Sequence, residues 1–197
     1  MDMTPTTWQH WCYATLALYT GMAVDADLRG RRIPNFLVLA MLATAVALHA
    51  YGPANGREGM YGYFPGALEL SGVLLGAVVG LLMFLPLYAL RAMGAGDVKF
   101  MAALGAYSGP VEALSLGLTV LVSGGVLALA LALVKGKVRL VMRNVRLIVA
   151  GRSGQGGQAF DPVAQTAERM PYALAFGLGL LVYGYWRHLG HMPFLNF

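Results

Sequence analysis

Long apolar segments alternate with short polar connections along this chain, and the pattern predicts a bundle of membrane-spanning helices. The apolar segments are residues 8–24, 35–51, 66–89, 98–107, 111–134 and 171–186. Most of them approach the ~20 residues that a spanning helix needs, whereas the fourth is short or re-entrant. The sequence therefore predicts an all-α polytopic membrane protein of about six transmembrane helices, one of them short.

Composition supports this interpretation. Of the 197 residues 58% are hydrophobic and only 12% are charged, which is too apolar for a soluble globular domain. Six helices with short connections use most of the length, so we expect a single membrane-embedded domain over residues 1–197. The single Cys12 excludes a disulfide framework and a Cys-x-x-Cys zinc site. Gly72, Gly76 and Gly80, spaced by four residues, predict close packing of the third helix.

The distribution of basic residues predicts the orientation. Twelve of the fourteen Lys and Arg fall on one side of the predicted bundle, and only Arg57 and Arg187 fall on the other. By the positive-inside rule the basic side is cytoplasmic and the N-terminus is outside. The first apolar run has its positive charges after it, unlike a cleavable signal peptide, so we expect it to be retained. No nucleic-acid module accompanies the net charge of +5, so no nucleic-acid partner is expected.

Residues 135–170 form the one long non-spanning stretch, predicted to be a cytoplasmic loop. Residues 137–149 mix basic and apolar side chains, which is typical of an interfacial helix on anionic lipid. The Gly-rich centre, residues 151–157, lacks the Lys-Ser/Thr ending of a phosphate-binding loop. It is interpreted as a linker.

Two acidic residues stand out at the predicted cytoplasmic side. Asp97 follows a Gly-Ala-Gly turn and precedes an apolar helix, and an ionisable group beside a membrane segment is a functional candidate. By itself such an acid is more often a helix cap, here for a helix beginning at Val98, and the helix end would favour its charged form. Asp27, where the first apolar run meets a basic loop, supplies a second carboxylate. Asp25 and Asp27 diverge by about 200° on a helix, so at most one of them faces a given partner.

Two carboxylates held close together share a proton, and such a pair can activate water while it polarises a carbonyl group. That is the chemistry of an aspartic protease. Acids in a membrane protein can also form a proton relay in a non-enzymatic transporter or assembly subunit. The residue types alone leave both alternatives open.

The spacing of Asp27 to Ile33-Pro34-Asn35, together with Gly94-Ala95-Gly96-Asp97-Val98-Lys99, resembles the type IV prepilin peptidases. These are GxGD membrane aspartic proteases. The Arg-Arg-Ile-Pro-Asn run and Met170-Pro171-Tyr172 are most similar to the branch that serves tight-adherence (Flp) pili. The resemblance implies that Asp27, rather than Asp25, is catalytic with Asp97.

The resemblance also implies an activity and a location. Such enzymes lie in the bacterial inner membrane and remove a short basic leader from prepilins at the cytoplasmic face, without a metal or cofactor. Larger members also N-methylate the product through an N-terminal region with paired Cys-x-x-Cys motifs. This chain lacks that region, so we expect a peptidase without methyltransferase activity. A preflagellin-type GxGD protease is the alternative within the class, and the oligomeric state is left open.

Overall fold

The computed structural model describes residues 4–30, 32–53, 59–62, 64–90, 92–136, 138–139 and 172–194. Within these ranges the chain is all-α. The helices are α1 (Pro5–Gly30), α2 (Asn35–Tyr51), α3 (Leu70–Ala89), α4 (Ala95–Ser108), α5 (Pro110–Val134) and α6 (Tyr172–His188). The predicted all-helical class is confirmed. The predicted interfacial helix and Gly-rich linker lie outside the described residues, apart from residues 138–139.

In the part of the chain that the structure describes, two helices are long and apolar enough to cross a membrane, judged by length and composition. These are α3 and α5, each with a hydropathy of 2.3 over its most apolar window, of which only 22% and 28% is buried. Helix α2 is apolar but shorter. Leu75 and Leu82 on α3, and Val122 and Val126 on α5, are exposed. So much continuous apolar surface favours contact with lipid over contact with water.

Glycines allow α3 and α4 to pack closely, as the four-residue spacing predicted. A Cβ atom on Gly76 would overlap the carbonyl oxygen of Gly105, and a Cβ on Gly105 would overlap the carbonyl oxygen of Gly76. Gly80 faces Met101 in the same way, whereas Gly72 lies against Leu68. Because neither backbone could approach if a side chain intervened, these glycines fix the position of α4 in the bundle.

Consecutive helices run in opposite directions, so the end of α1 and the starts of α2, α4 and α6 meet at one end of the bundle. There Lys99 Nζ donates to Asn35 Oδ1 at 3.1 Å, joining α4 to α2. The Tyr172 hydroxyl, in α6, donates to the carbonyl oxygen of Ala92 at 3.0 Å. Asp27 also lies at this end, which is called the Asp end below.

The opposite end is held by a buried ion pair that the sequence analysis did not predict. Arg187 Nη2 lies 3.0 Å from Glu112 Oε1, which joins α6 to α5. Tyr183 donates its hydroxyl to the same carboxylate, and Arg187 also donates to the carbonyl oxygen of Tyr61. The signal available in the sequence was Glu112, an acid inside the predicted spanning segment 111–134. Acids in such segments usually pair with another polar or charged group.

Candidate active site

Asp27 belongs to the core-facing side of α1. The buried residues of this helix recur every three or four positions: Trp8, Cys12, Leu16, Thr20, Ala23 and Asp27. Helix α1 continues past its predicted end to Gly30, so Asp27 lies on the helix and is only 7% exposed. Asp25 lies off this side, is exposed, and forms an ion pair with Arg29 at 2.7 Å. The two neighbouring acids therefore face different surroundings.

The partner of Asp27 is the backbone of α6. Its Oδ2 accepts a hydrogen bond from the N–H of Ala173 at 3.0 Å. Ala173 is the second residue of α6, where backbone N–H groups have no acceptor within the helix. A helix N-terminus of this kind attracts negative charge. A backbone donor leaves no side-chain signal in the sequence, so this contact was not predicted.

Asp97 lies in the first turn of α4. The helix begins at Ala95 rather than at the predicted Val98, so Asp97 does not precede the helix but belongs to it. Its Oδ2 accepts the N–H of Gly94 at 3.0 Å, and the residue is 8% exposed. The expected capping interaction therefore exists, in the form of a first-turn acid that reaches back to the residue before the helix.

Burial raises the pKa of Asp97 from 3.8 to about 6; the Gly94 hydrogen bond lowers it, and the charge of Asp27 raises it further. The hydrogen bond at the helix end favours the charged form, as expected, but desolvation outweighs it, so the pKa of Asp97 is raised overall. Helix α4 has 14 residues, about 21 Å, too few to span the ~30 Å core of a bilayer. Asp97 lies in the first turn of this short helix, at the Asp end of the bundle.

The structure brings the two acids together. Asp27 and Asp97 lie close enough for the charge of one to act on the other, although they are 70 residues apart in the sequence. Asp97 also interacts electrostatically with the phenol group of Tyr172. Helices α1, α4 and α6 therefore contribute to one site at the Asp end. In the described part of the chain no three His, Cys, Asp or Glu side chains converge, and no metal is assigned to the site.

The connection between α1 and α2 packs against the glycine turn that precedes α4. A Cβ on Gly96 would lie 3.4 Å from the Cβ and from the carbonyl oxygen of the buried Ile33. Pro34 is extended and immediately precedes the first residue of α2, so it shapes the start of that helix. Asn35, the first residue of α2, accepts the Lys99 hydrogen bond, a contact that was not predicted.

Two buried carboxylates that share an electrostatic environment, one of them with a raised pKa, form a site suited to acid–base hydrolysis. Fold and site together define a helical protein with a largely apolar surface and a paired-carboxylate site at one end.

The profile of the type IV leader peptidase family matches residues 12–133, more than half of the chain. The chain belongs to the type IV leader peptidase family, which makes it a protease. The match includes both Asp27 and Asp97 and ends before α6. Comparison with curated proteins and with solved structures gives no significant match.

Proposed function

We propose that this chain is a membrane-embedded aspartic endopeptidase that removes the leader from type IV prepilins, with Asp27 and Asp97 as its catalytic pair. One observation carries the proposal. Two acids far apart in the sequence are both buried at the Asp end and interact electrostatically. Buried like charges raise the free energy of the folded state, so a structural role alone does not account for the pair.

In the proposed reaction Asp27, held by the Ala173 N–H, accepts a proton from water while the water oxygen attacks the scissile carbonyl carbon. Asp97 in its protonated form donates a hydrogen bond to the carbonyl oxygen. As the C–N bond breaks, Asp27 passes the proton that it took from water to the leaving amine. The products are a carboxylic acid and an amine, Asp97 keeps its proton, and the pair returns to its starting protonation state.

The finer features of the proposal concern substrate and location. We place the Asp end at the cytoplasmic face of a bacterial inner membrane, because Arg29, Arg32 and Lys99 lie near it in the fold. A prepilin whose apolar helix lies in the bilayer presents its leader at that surface. The resemblance to the tight-adherence branch supports an Flp-type prepilin with a short basic leader, and activity without N-methylation.

The test is leader removal from a co-expressed prepilin, followed by the change in mobility of the pilin. Asp27→Asn and Asp97→Asn are each expected to reduce processing by at least a hundredfold, because either loss removes one half of the acid–base pair. Asp25→Asn, two residues away and exposed, is expected to retain cleavage when prepilin is saturating, because Asp25 is not one of the two catalytic acids. Full processing by Asp27→Asn would show either that another acid, such as Asp25, is catalytic or that the aspartic-protease proposal is wrong. Proton-dependent transport without cleavage would favour a proton relay instead.

A further inference from the structure

An open groove of about 570 Å³ lies between α1 and the start of α2. Its walls include Leu18, Gly21, Met22, Asp25, Pro34 and Phe36. Leu18, Met22 and Phe36 are 60%, 44% and 69% exposed, so the groove is apolar and open to its surroundings. It is called the α1–α2 groove below.

Gly21 leaves open space in the wall of this groove. A Cβ atom on Gly21 would meet nothing within 4 Å. By contrast, Gly76 and Gly105 face each other's backbones, and Gly179 faces Val120. Ala17 and Gly21, four residues apart, therefore form a small-x-x-x-small pair that no described helix of this chain occupies. Such a pair allows another helix to approach closely.

Charge indicates what kind of helix fits. Among the residues that the structure describes, Asp25 is the one charged residue that lines the α1–α2 groove. Its partner Arg29 is on the same helix, and both side chains are mostly exposed, so their ion pair contributes little to stability. An incoming cation can replace it. An apolar groove with a carboxylate at one end complements an apolar helix with a positive charge at the corresponding end, and it disfavours a phosphate headgroup.

The position of the groove connects it with the site. Asp25 is two residues before Asp27 on α1, and Pro34 lines the groove. Ile33, next to Pro34, packs against Gly96 of the glycine turn. A helix seated in the groove with its first turn at the Asp25 end therefore begins beside the α1–α2 connection, two residues along α1 from Asp27. The extended segment that precedes this helix then lies between the groove and the Asp end.

We infer that the α1–α2 groove seats the apolar helix of the substrate, with a basic leader residue against Asp25. This inference rests on the proposed function, which supplies an apolar helix preceded by a basic leader. Binding there is separate from chemistry. Changes in the groove therefore act on KM, whereas changes at Asp27 and Asp97 act on kcat.

The kinetic test places a large side chain at Gly21, in the open space of the α1–α2 groove. Gly21→Leu is expected to raise KM about tenfold and to leave kcat within about twofold, because a side chain there occupies the path of the substrate helix. Gly125→Leu is the matched control, since a Cβ on Gly125 also meets nothing within 4 Å, but on α5. Asp25→Lys is expected to raise KM for the basic leader, and a leader with Glu in place of its basic residues is expected to reverse the effect.

A second measurement leaves Gly21 unchanged. A photo-reactive amino acid replaces Met22 or Phe36 in the Asp97→Asn protein, which is expected to bind prepilin without cleaving it. The matched control position is Leu82, which is exposed on α3. Adducts between the enzyme and prepilin are expected at Met22 and Phe36 and not at Leu82.

Equal KM values for Gly21→Leu and Gly125→Leu would overturn the inference. If the wild-type protein still cleaves prepilin, the proposed function is unaffected by that result. Adducts with lipid alone or with a second copy of the chain would also overturn it. A wild-type protein that cleaves no prepilin at all would contradict the proposed function itself.

Discussion

Asp27 and Asp97 have the same side chain but different hydrogen-bond donors. Asp27 accepts from a residue of α6 that is distant in sequence, whereas Asp97 accepts from Gly94, three residues before it. The sequence indicated these two acids through their spacing to Pro34 and to the glycines. It did not indicate the protonation of Asp97, because that depends on how deeply neighbouring helices bury the carboxyl group.

At the residue scale, Asp97→Asn is expected to stabilise the folded protein at neutral pH while it abolishes cleavage. The pKa of Asp97 is about 6 in the folded protein and 3.8 ordinarily, so ionisation at neutral pH costs the folded state up to roughly 3 kcal/mol. The free energy of unfolding of the wild type therefore decreases as the pH rises from 3.8 to about 6. Asn carries no charge and can still accept the Gly94 hydrogen bond.

Thermal unfolding in detergent checks this prediction. The Tm of Asp97→Asn is expected to exceed that of the wild type at pH 7.5, and the difference is expected to vanish near pH 4. A lower Tm at pH 7.5, or a difference that does not change with pH, would contradict the raised pKa.

At the scale of elements, some helix bounds were predictable and others were not. Helix α2 has the predicted bounds, residues 35–51, because its apolar run has clear polar flanks. Helix α3 begins at Leu70 rather than at residue 66, since residues 66–68 make tertiary hydrogen bonds, one of them from Leu68 N to His49 Nδ1 at 3.0 Å. Helix α1 extends through polar residues to Gly30, and Asp27 in this extension accepts the N–H of Ala173 in α6. Such tertiary contacts are not visible in the sequence.

The glycine contact between α3 and α4 gives a prediction at this scale. Gly105→Ala is expected to destabilise the protein by about 1–3 kcal/mol, because the new methyl group overlaps the carbonyl oxygen of Gly76. Separation of the two helices also moves Asp97 relative to Asp27, so kcat is expected to fall at least tenfold. Unfolding curves and cleavage rates measured beside Gly125→Ala, which meets no neighbour, check this. Equal stability of the two variants would show that α3 and α4 can move apart at little cost.

At the scale of the whole molecule, the prediction that Asp27 and Asp97 share one end came from counting basic residues between apolar segments. It succeeded because a chain of antiparallel helices returns to the same end at every second connection. The contributions of α6 could not be predicted in this way. They depend on a backbone N–H at Ala173 and on the buried pair of Arg187 with Glu112 at the other end.

The central claim is that the carboxylates of α1 and α4 meet at the Asp end, and disulfide formation between these positions tests it most directly. In a protein whose buried Cys12 is replaced by Ala, Asp27→Cys is combined with Asp97→Cys, and the control combines Asp25→Cys with Asp97→Cys. The account predicts rapid cross-linking of the first pair under mild oxidation and at least tenfold slower cross-linking of the control. No cross-link for the first pair, or equal rates for the two pairs, would contradict the account.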